Sequence, residues 1–219
     1  MINYDLSDNV AILSIDDGKA NAVSHNLIDT MLESLDRAES EASAVIIQGR
    51  EGLFSAGFDL KEIQKGPDAA TALVNRGAHM LLRMFSYPLP LIGACTGHAV
   101  AAGAFMLLSC DTRIGIGGNF NLGLNETAIG MTLPVFGQQL AKNRLSKRHL
   151  TAAVIQARMF SPQAAQDAGF LDRVVEAGDL MSACITEAHA LSELPQATYA
   201  AMKRDTRAEA IAAIEASLS

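Results

Sequence analysis

The chain has 219 residues, 49% of them hydrophobic and 19% charged, with a net charge of -7. That length holds one sizeable core and excludes several independent domains, and the acidic balance leaves no electrostatic footprint for nucleic acid or an anionic membrane. The N-terminus, MINYDLSDNV, has neither a basic n-region nor an apolar h-region, and no apolar run approaches the ~20 residues of a membrane span, which predicts a cytoplasmic protein. Cys95, Cys110 and Cys184 are odd in number, irregularly spaced and set among small apolar neighbours, so they read as reduced, buried thiols and as neither a disulfide framework nor a zinc site. The absence of tryptophan and the 5% aromatic content argue against base-stacking platforms.

Residues 3–15 predict a hairpin, because Tyr4 and Leu6 alternate with polar residues, Ser7-Asp8-Asn9 supplies a turn, and Val10-Ala11-Ile12-Leu13 resumes an apolar run. Ser24 then caps a helix on which Leu27, Ile28, Met31, Leu32 and Leu35 share one face. Ala44-Val45-Ile46-Ile47, followed closely by Gly49 and Gly52, suits a buried parallel strand. The alternation continues with a helix over 68–85, a strand over 90–94, a small-residue helix over 102–109 and a strand over 113–116, which implies a parallel sheet and an α/β fold. From Pro134 onward helices dominate, with Pro134 in a first turn, Ser146 and Ser161 as caps, and one long amphipathic segment over 196–218. Its stripe Ala208, Ile211, Ile214, Leu218 suits an assembly element. The change of element type divides the chain into a core, 1–160, and a helical region, 161–219.

Three segments carry chemistry. Gly52-Leu53-Phe54-Ser55-Ala56-Gly57-Phe58-Asp59-Leu60 leads from a strand into DLKEIQ, a turn whose N–H groups lack intrahelical partners and whose small residues admit a ligand to the backbone. Thr96-Gly97-His98-Ala99-Val100-Ala101-Ala102-Gly103-Ala104-Phe105 repeats the arrangement before a helix with almost no side chains in its first turn. Two such turns on one point would form an oxyanion hole, although tight packing alone also accounts for the small residues. In Asn121-Leu122-Gly123-Leu124-Asn125-Glu126-Thr127-Ala128-Ile129-Gly130 a single carboxylate stands among neutral residues, where burial raises its pKa and improves it as a base and then an acid. A capping or salt-bridged glutamate is the bland alternative.

In this order and spacing the three segments, with Lys19-Ala20-Asn21-Ala22, resemble the crotonase (enoyl-CoA hydratase/isomerase) superfamily from about Val10 to about Arg204. The resemblance implies a ββα spiral core of parallel sheets with a C-terminal helical trimerisation region. It implies an acyl-CoA thioester as substrate, no separate cofactor or metal, and a homotrimer or dimer of trimers. By the same likeness the oxyanion donors are the N–H groups of Phe58 and Ala102, the latter standing where glycine is usual, and Glu126 is the proton shuttle. Lys19, Ala20, Ala22, Ala56, Asp59, Leu60, Lys61 and Phe105 are then the substrate contacts, with the Lys19 to Ala22 motif at the adenine end of coenzyme A.

Family hydratases position water between two glutamates; here the first is Phe105, and Gly123-Leu124-Asn125-Glu126-Thr127 is especially similar to mitochondrial-type Δ3,Δ2-enoyl-CoA isomerases. The implied activity is therefore the shift of a 3-enoyl-CoA double bond to the 2-position, of fatty acid β-oxidation type. Hydratase activity and a non-catalytic acyl-CoA binder are the alternatives. Clp-type proteases share the broad fold, but Ala101 stands where their serine would be, leaving nothing for a base to activate. His98 near the hole reads as structural, and Lys142, Arg144, Lys147 and Arg148 as a solvated junction that could also meet CoA phosphates.

Overall fold

A computed structural model describes residues 2–218. In chain order it comprises β1 (Ile2–Ser7), β2 (Val10–Ile15), α1 (His25–Glu41), β3 (Ala44–Gln48), β4 (Gly52–Ser55), the single turn α2 (Leu60–Ile63), α3 (Pro67–Phe85), β5 (Leu91–Cys95), β6 (Gly97–Val100), α4 (Ala102–Ser109), β7 (Thr112–Ile116) and β8 (Leu122–Gly123). Then come α5 (Val135–Arg144), a π-helical turn at Thr151–Ile155, α6 (Pro162–Ala168), β9 (Arg173–Val175), α7 (Leu180–Ser192), α8 (Gln196–Thr206) and α9 (Ala208–Leu218).

The predicted hairpin forms, with Asp8 and Asn9 both at positive φ (49° and 61°), the pair a two-residue turn needs to match strand twist. Beyond it the main sheet is parallel, in the order β1-β2-β3-β5-β7-β9. Both faces of its central strands are buried, which is why β3 and β5 lack polar alternation. Val45 and Ile47 of β3 join Leu91 and Cys95 of β5 in the larger core under α1, α3 and α4; Ala44, Ile46, Ile92 and Ala94 face the other way, onto Leu180, Cys184 and Ala188 of α7. All three cysteines are free and buried, and burial pushes each thiol up to about 12. Among the described residues no helix is long and apolar enough to cross a membrane.

The structure departs from the sequence reading in three places. First, the two glycine-rich segments read as strand-to-helix turns contain strands of a second, three-stranded sheet, β4-β6-β8. With only two to four residues each, its strands are too short to show a period. Second, β9 lies past residue 160 yet pairs with β7 in the main sheet, so the layers continue through α7, and α9 returns to the main core. Third, the predicted single helix over 196–218 is broken at Arg207, whose guanidinium turns inward to Phe85 O (2.6 Å) and Asp111 Oδ1 (2.9 Å).

Asp111 anchors this tail. Its carboxylate accepts from the Leu91 N–H (2.9 Å), Tyr199 OH (2.9 Å), Lys203 Nζ (2.5 Å) and Arg207. Lys203 also donates to Tyr87 O and Leu89 O, so its buried ammonium is fully partnered. Of the tail stripe Ala208, Ile211, Ile214 and Leu218, Ile214 enters the main core with Ala210, Ile211 and Leu218 pack against it, and Ala208 is exposed.

Candidate active site

The second sheet brings the two turns together. β4 and β6 run parallel from Gly52 opposite Gly97 to Ser55 opposite Ala99, with an irregularity between Leu53 and Ser55. They end side by side. A Cβ placed on Gly57 (φ +105°) would lie 3.1 Å from Ala101 Cβ and 3.5 Å from Ala102 N, so only a glycine lets the turns approach this closely. Gly103 plays the matching part on α4, where a Cβ would strike the Ser55 backbone and side chain.

Phe58 forms a parallel bridge with Val23, in which the Val23 N–H donates to Gly57 O (2.8 Å) and the Asp59 N–H to Val23 O (3.2 Å). In that pattern the bridged residue directs its own N–H and C=O away from its partner. Ala102 is the first residue of α4, where the N–H has no intrahelical acceptor. Among the described residues no acceptor within the chain is recorded for either N–H. Two free donors on adjacent turns, one at a helix N-terminus, are the components of an oxyanion hole.

The strain in this site falls on Ala101, not on the Ala102 position where the family's usual glycine is replaced. Ala101 takes φ 51° and ψ -121°, a region costing an L-residue roughly 1–3 kcal/mol, whereas Ala102 is not among the positive-φ residues. Ala101 is held there by its N–H bond to Gly123 O (3.0 Å).

Gly123 in turn leads to Glu126, only three residues and hence at most ~11 Å of chain further on. Glu126 starts a 3₁₀ turn (Thr127–Ile129) that is closed by the Met131 N–H donating to Glu126 O (2.9 Å) and tied down by Thr127 Oγ1 donating to Val154 O (3.0 Å). The side chain is 7% exposed, and its Oε2 is buried without a hydrogen-bond partner. Burial raises its pKa above the glutamate value of 4.5. Among the described residues its side chain makes no salt bridge and caps no N–H of the following turn, its one backbone partner being its own N–H, whose pKa-lowering effect burial outweighs.

Phe105, expected as a substrate contact, lies in the core. It is 1% exposed, meets Phe136 of α5 edge-on (centroids 5.4 Å apart, planes at 80°), and fills the space left by Gly137, whose Cβ would come within 2.8 Å of Phe105 Cζ.

The Lys19 to Ala22 motif lies beside the first turn: the Ala56 N–H donates to Ala20 O (3.0 Å) and Ser55 Oγ to Asn21 O (2.8 Å). Asn21, at φ 47° and fully buried, donates through Nδ2 to Ile15 O (2.9 Å) and Phe54 O (3.2 Å). Burial works against ionisation of Asp17, but N–H bonds from Asn21, Lys19 and Ala22 and the Arg50 charge outweigh it and lower its pKa. Arg50 also donates to Lys19 O. The expected contacts Lys19, Ala56, Leu60 and Lys61 are exposed, Ala20 and Ala22 partly so, and Asp59 caps α2 through the Lys61 N–H (2.9 Å).

Two further expectations resolve as structural. His98 Nδ1 accepts from the Asn121 N–H (3.0 Å), joining β6 to β8. Arg144 is no phosphate ligand: its Nη2 donates to Cys110 O (2.8 Å) and Asp111 O (2.7 Å). Asn21 and Gly57 lie in motifs the sequence displays without revealing their individual roles, whereas Gly77 is legible only as an isolated glycine inside a helix, which usually has a packing reason.

Comparison with known proteins follows the geometry. A family model described as enoyl-CoA hydratase/isomerase matches residues 5–218. Human mitochondrial enoyl-CoA delta isomerase 1 is 26% identical over 216 residues, covering 94% of this chain and 71% of the relative; a probable enoyl-CoA hydratase of Bacillus subtilis is 34% identical over 134 residues, covering 59% and 52%. Among solved structures, an enoyl-CoA hydratase/isomerase family protein from Pseudomonas syringae superposes with a TM-score of 0.97 at 41% identity, covering 99% of this chain and 94% of that one. The apo enoyl-CoA isomerase of Mycobacterium tuberculosis gives 0.94 at 34%, covering 99% and 95%. With its spiral of parallel sheets and its paired backbone donors, the chain is thus an enzyme of the enoyl-CoA hydratase/isomerase family, within the crotonase superfamily.

Proposed function

We propose that the protein is an enoyl-CoA isomerase that moves the double bond of a 3-enoyl-CoA to the 2-position, a step of the fatty acid β-oxidation type. The observation that carries this reading is the buried Glu126, whose Oε2 has no hydrogen-bond partner, while Phe105, which by the resemblance stands where hydratases keep a second glutamate, packs against α5. Hydration needs a held water and a proton delivered to the neighbouring carbon; a double-bond shift needs one base. The thioester oxygen accepts from the Phe58 and Ala102 N–H groups, which stabilises the dienolate formed when Glu126 removes a C2 proton. Glu126 then returns that proton at C4, leaving the base ionised for the next turnover. Coenzyme A lies along Lys19, Ala20, Ala22, Ala56 and Lys61 and needs no other cofactor.

The relatives carry both isomerase and hydratase names, so the discriminating experiment is kinetic. In an assay of 3-enoyl-CoA against 2-enoyl-CoA, isomerisation exceeds hydration, and Glu126→Gln lowers it at least ~10²-fold. Equal or faster hydration would make the protein a hydratase; saturable CoA-ester binding without turnover would make it a binder.

We also propose self-association into trimers through the face beyond Glu126. Residues 127–166 hold five of the 17 basic residues, all but the inward-turned Arg144 exposed, and none of the 24 acidic ones; Ile129, Met131, Val135 and Ile155 lie exposed in this stretch, Met131 and Ile155 lining a cavity of about 590 Å³. An apolar, basic surface on an otherwise acidic chain complements another copy. Light scattering then reads three times the 23.2 kDa chain mass, and a monomer refutes the assignment.

A further inference from the structure

Gly77 lies in the middle of α3, on a different element from any of the motifs above. A helix interior disfavours glycine by roughly 1 kcal/mol against alanine, so its presence there calls for a packing reason. The reason is Phe58. A Cβ at position 77 would sit 2.5 Å from Phe58 Cε1 and 2.7 Å from Phe58 Cζ. The ring therefore rests directly on the α3 backbone, in a notch that only glycine leaves open. Phe58 is half-buried and packs against the main core as well as on α3. Its backbone is held between Gly57 and Asp59 by the two hydrogen bonds to Val23.

We infer that Gly77 is a positioning residue for the reaction: by seating the Phe58 ring it sets where the Phe58 N–H points, and so sets the geometry of the oxyanion hole. This rests on the reading of Phe58 N–H as an oxyanion donor. Alanine at 77 requires the ring to retreat by about 1 Å to reach ordinary contact, and a displacement of that size at a reacting centre costs up to ~10²-fold in rate. The side chain of Phe58 does no chemistry, so a shorter one releases the effect while leaving the amide in place.

The test is a double-mutant cycle on the full chain, read as kcat and KM on whichever enoyl-CoA the wild-type protein turns over, with Tm in parallel. Gly77→Ala is expected to lower kcat about 10- to 100-fold with little change in KM, while Tm falls only modestly, the gain in helix propensity offsetting part of the cost of displacing the ring. In the Phe58→Leu background, which lacks the Cε1 and Cζ atoms, the same substitution is expected to change kcat less than ~3-fold. An unchanged kcat in Gly77→Ala overturns the inference, because the ring would then yield without moving the amide. A loss of equal size in both backgrounds overturns it too, since the cause would lie outside the Phe58 ring. If the wild-type protein turns over no enoyl-CoA, the isomerase reading fails by itself, and the cycle is read on the Kd of an acyl-CoA, where the same background dependence decides between the same outcomes.

Discussion

Restoring the second glutamate is the obvious way to convert this site into a hydratase, and we predict that Phe105→Glu fails because of where Phe105 sits. The ring is 1% exposed, edge-on to Phe136 and pressed into the gap left by Gly137, on a helix whose eight residues are all buried. Truncating a phenylalanine in such a position costs about 3–5 kcal/mol. A glutamate refills part of the volume but leaves a carboxyl without a designed partner, which adds about 1–3 kcal/mol. The sum, about 4 kcal/mol or more, is a large share of the 5–15 kcal/mol typical of a domain. The loss depends on pH. Burial raises the folded-state pKa of the new carboxyl above its unfolded value of about 4.3, so the destabilisation is smallest below that value and grows as pH rises towards the folded pKa. Urea unfolding at pH 5 and pH 7 should show a lower midpoint than wild type at both and a larger gap at pH 7, with no gain in 2-enoyl-CoA hydration. A variant with wild-type stability and new hydratase activity would refute the claim that packing has closed the second carboxylate position.

The same linkage applies at Glu126. Because burial raises its pKa, ionisation costs folding stability as pH rises above the unfolded value, so Glu126→Gln should unfold later than wild type at pH 7 and lose that advantage below about pH 4. Activity runs the opposite way, since the base must be ionised: kcat/KM should rise with pH through an inflection above the ordinary glutamate value of 4.5, and an inflection below it would contradict a desolvated base. Ala101→Gly relieves the φ 51°, ψ -121° conformation and should raise stability by about 1 kcal/mol after the added chain entropy of glycine, with kcat within about 3-fold of wild type; no change in Tm would mean the strain is not stored there. Asp111→Ala strands Lys203 and Arg207 and should cost about 3–5 kcal/mol, with amides of α8 and α9 exchanging before the rest of the chain; uniform exchange would show that the carboxylate does not anchor the tail.

The main sheet was legible because its strands are buried on both faces and read as apolar runs separated by amphipathic helices, as at Val45 to Ile47 and along α1. The second sheet was not, because β4, β6 and β8 hold two to four residues rich in glycine and alanine, which any turn would also display. Residues 196–218 read as one helix because their propensity never falters; the break comes from Arg207 reaching a carboxylate 96 residues away, a tertiary contact with no local trace. The stripe on α9 was correctly apolar, but apolarity does not say whether the covering surface belongs to the same chain or to another.

The site is legible in a different sense. Its two electrophilic donors are backbone groups, so the side chains at 58 and 102 are only weakly constrained by the chemistry, and nothing in Phe or Ala announces an oxyanion hole. What the chemistry does constrain is the approach of one backbone to another, and that is recorded in the neighbours that must lack a side chain. Gly57 admits Ala101, Gly103 admits Ser55, Gly77 admits the Phe58 ring, and Gly137 admits Phe105. Two of these lie in the motifs and two lie on the helices α3 and α5 behind them. The four glycines mark where backbone or ring comes too close for an unstrained Cβ, and they bracket Phe58, Ala102 and Phe105.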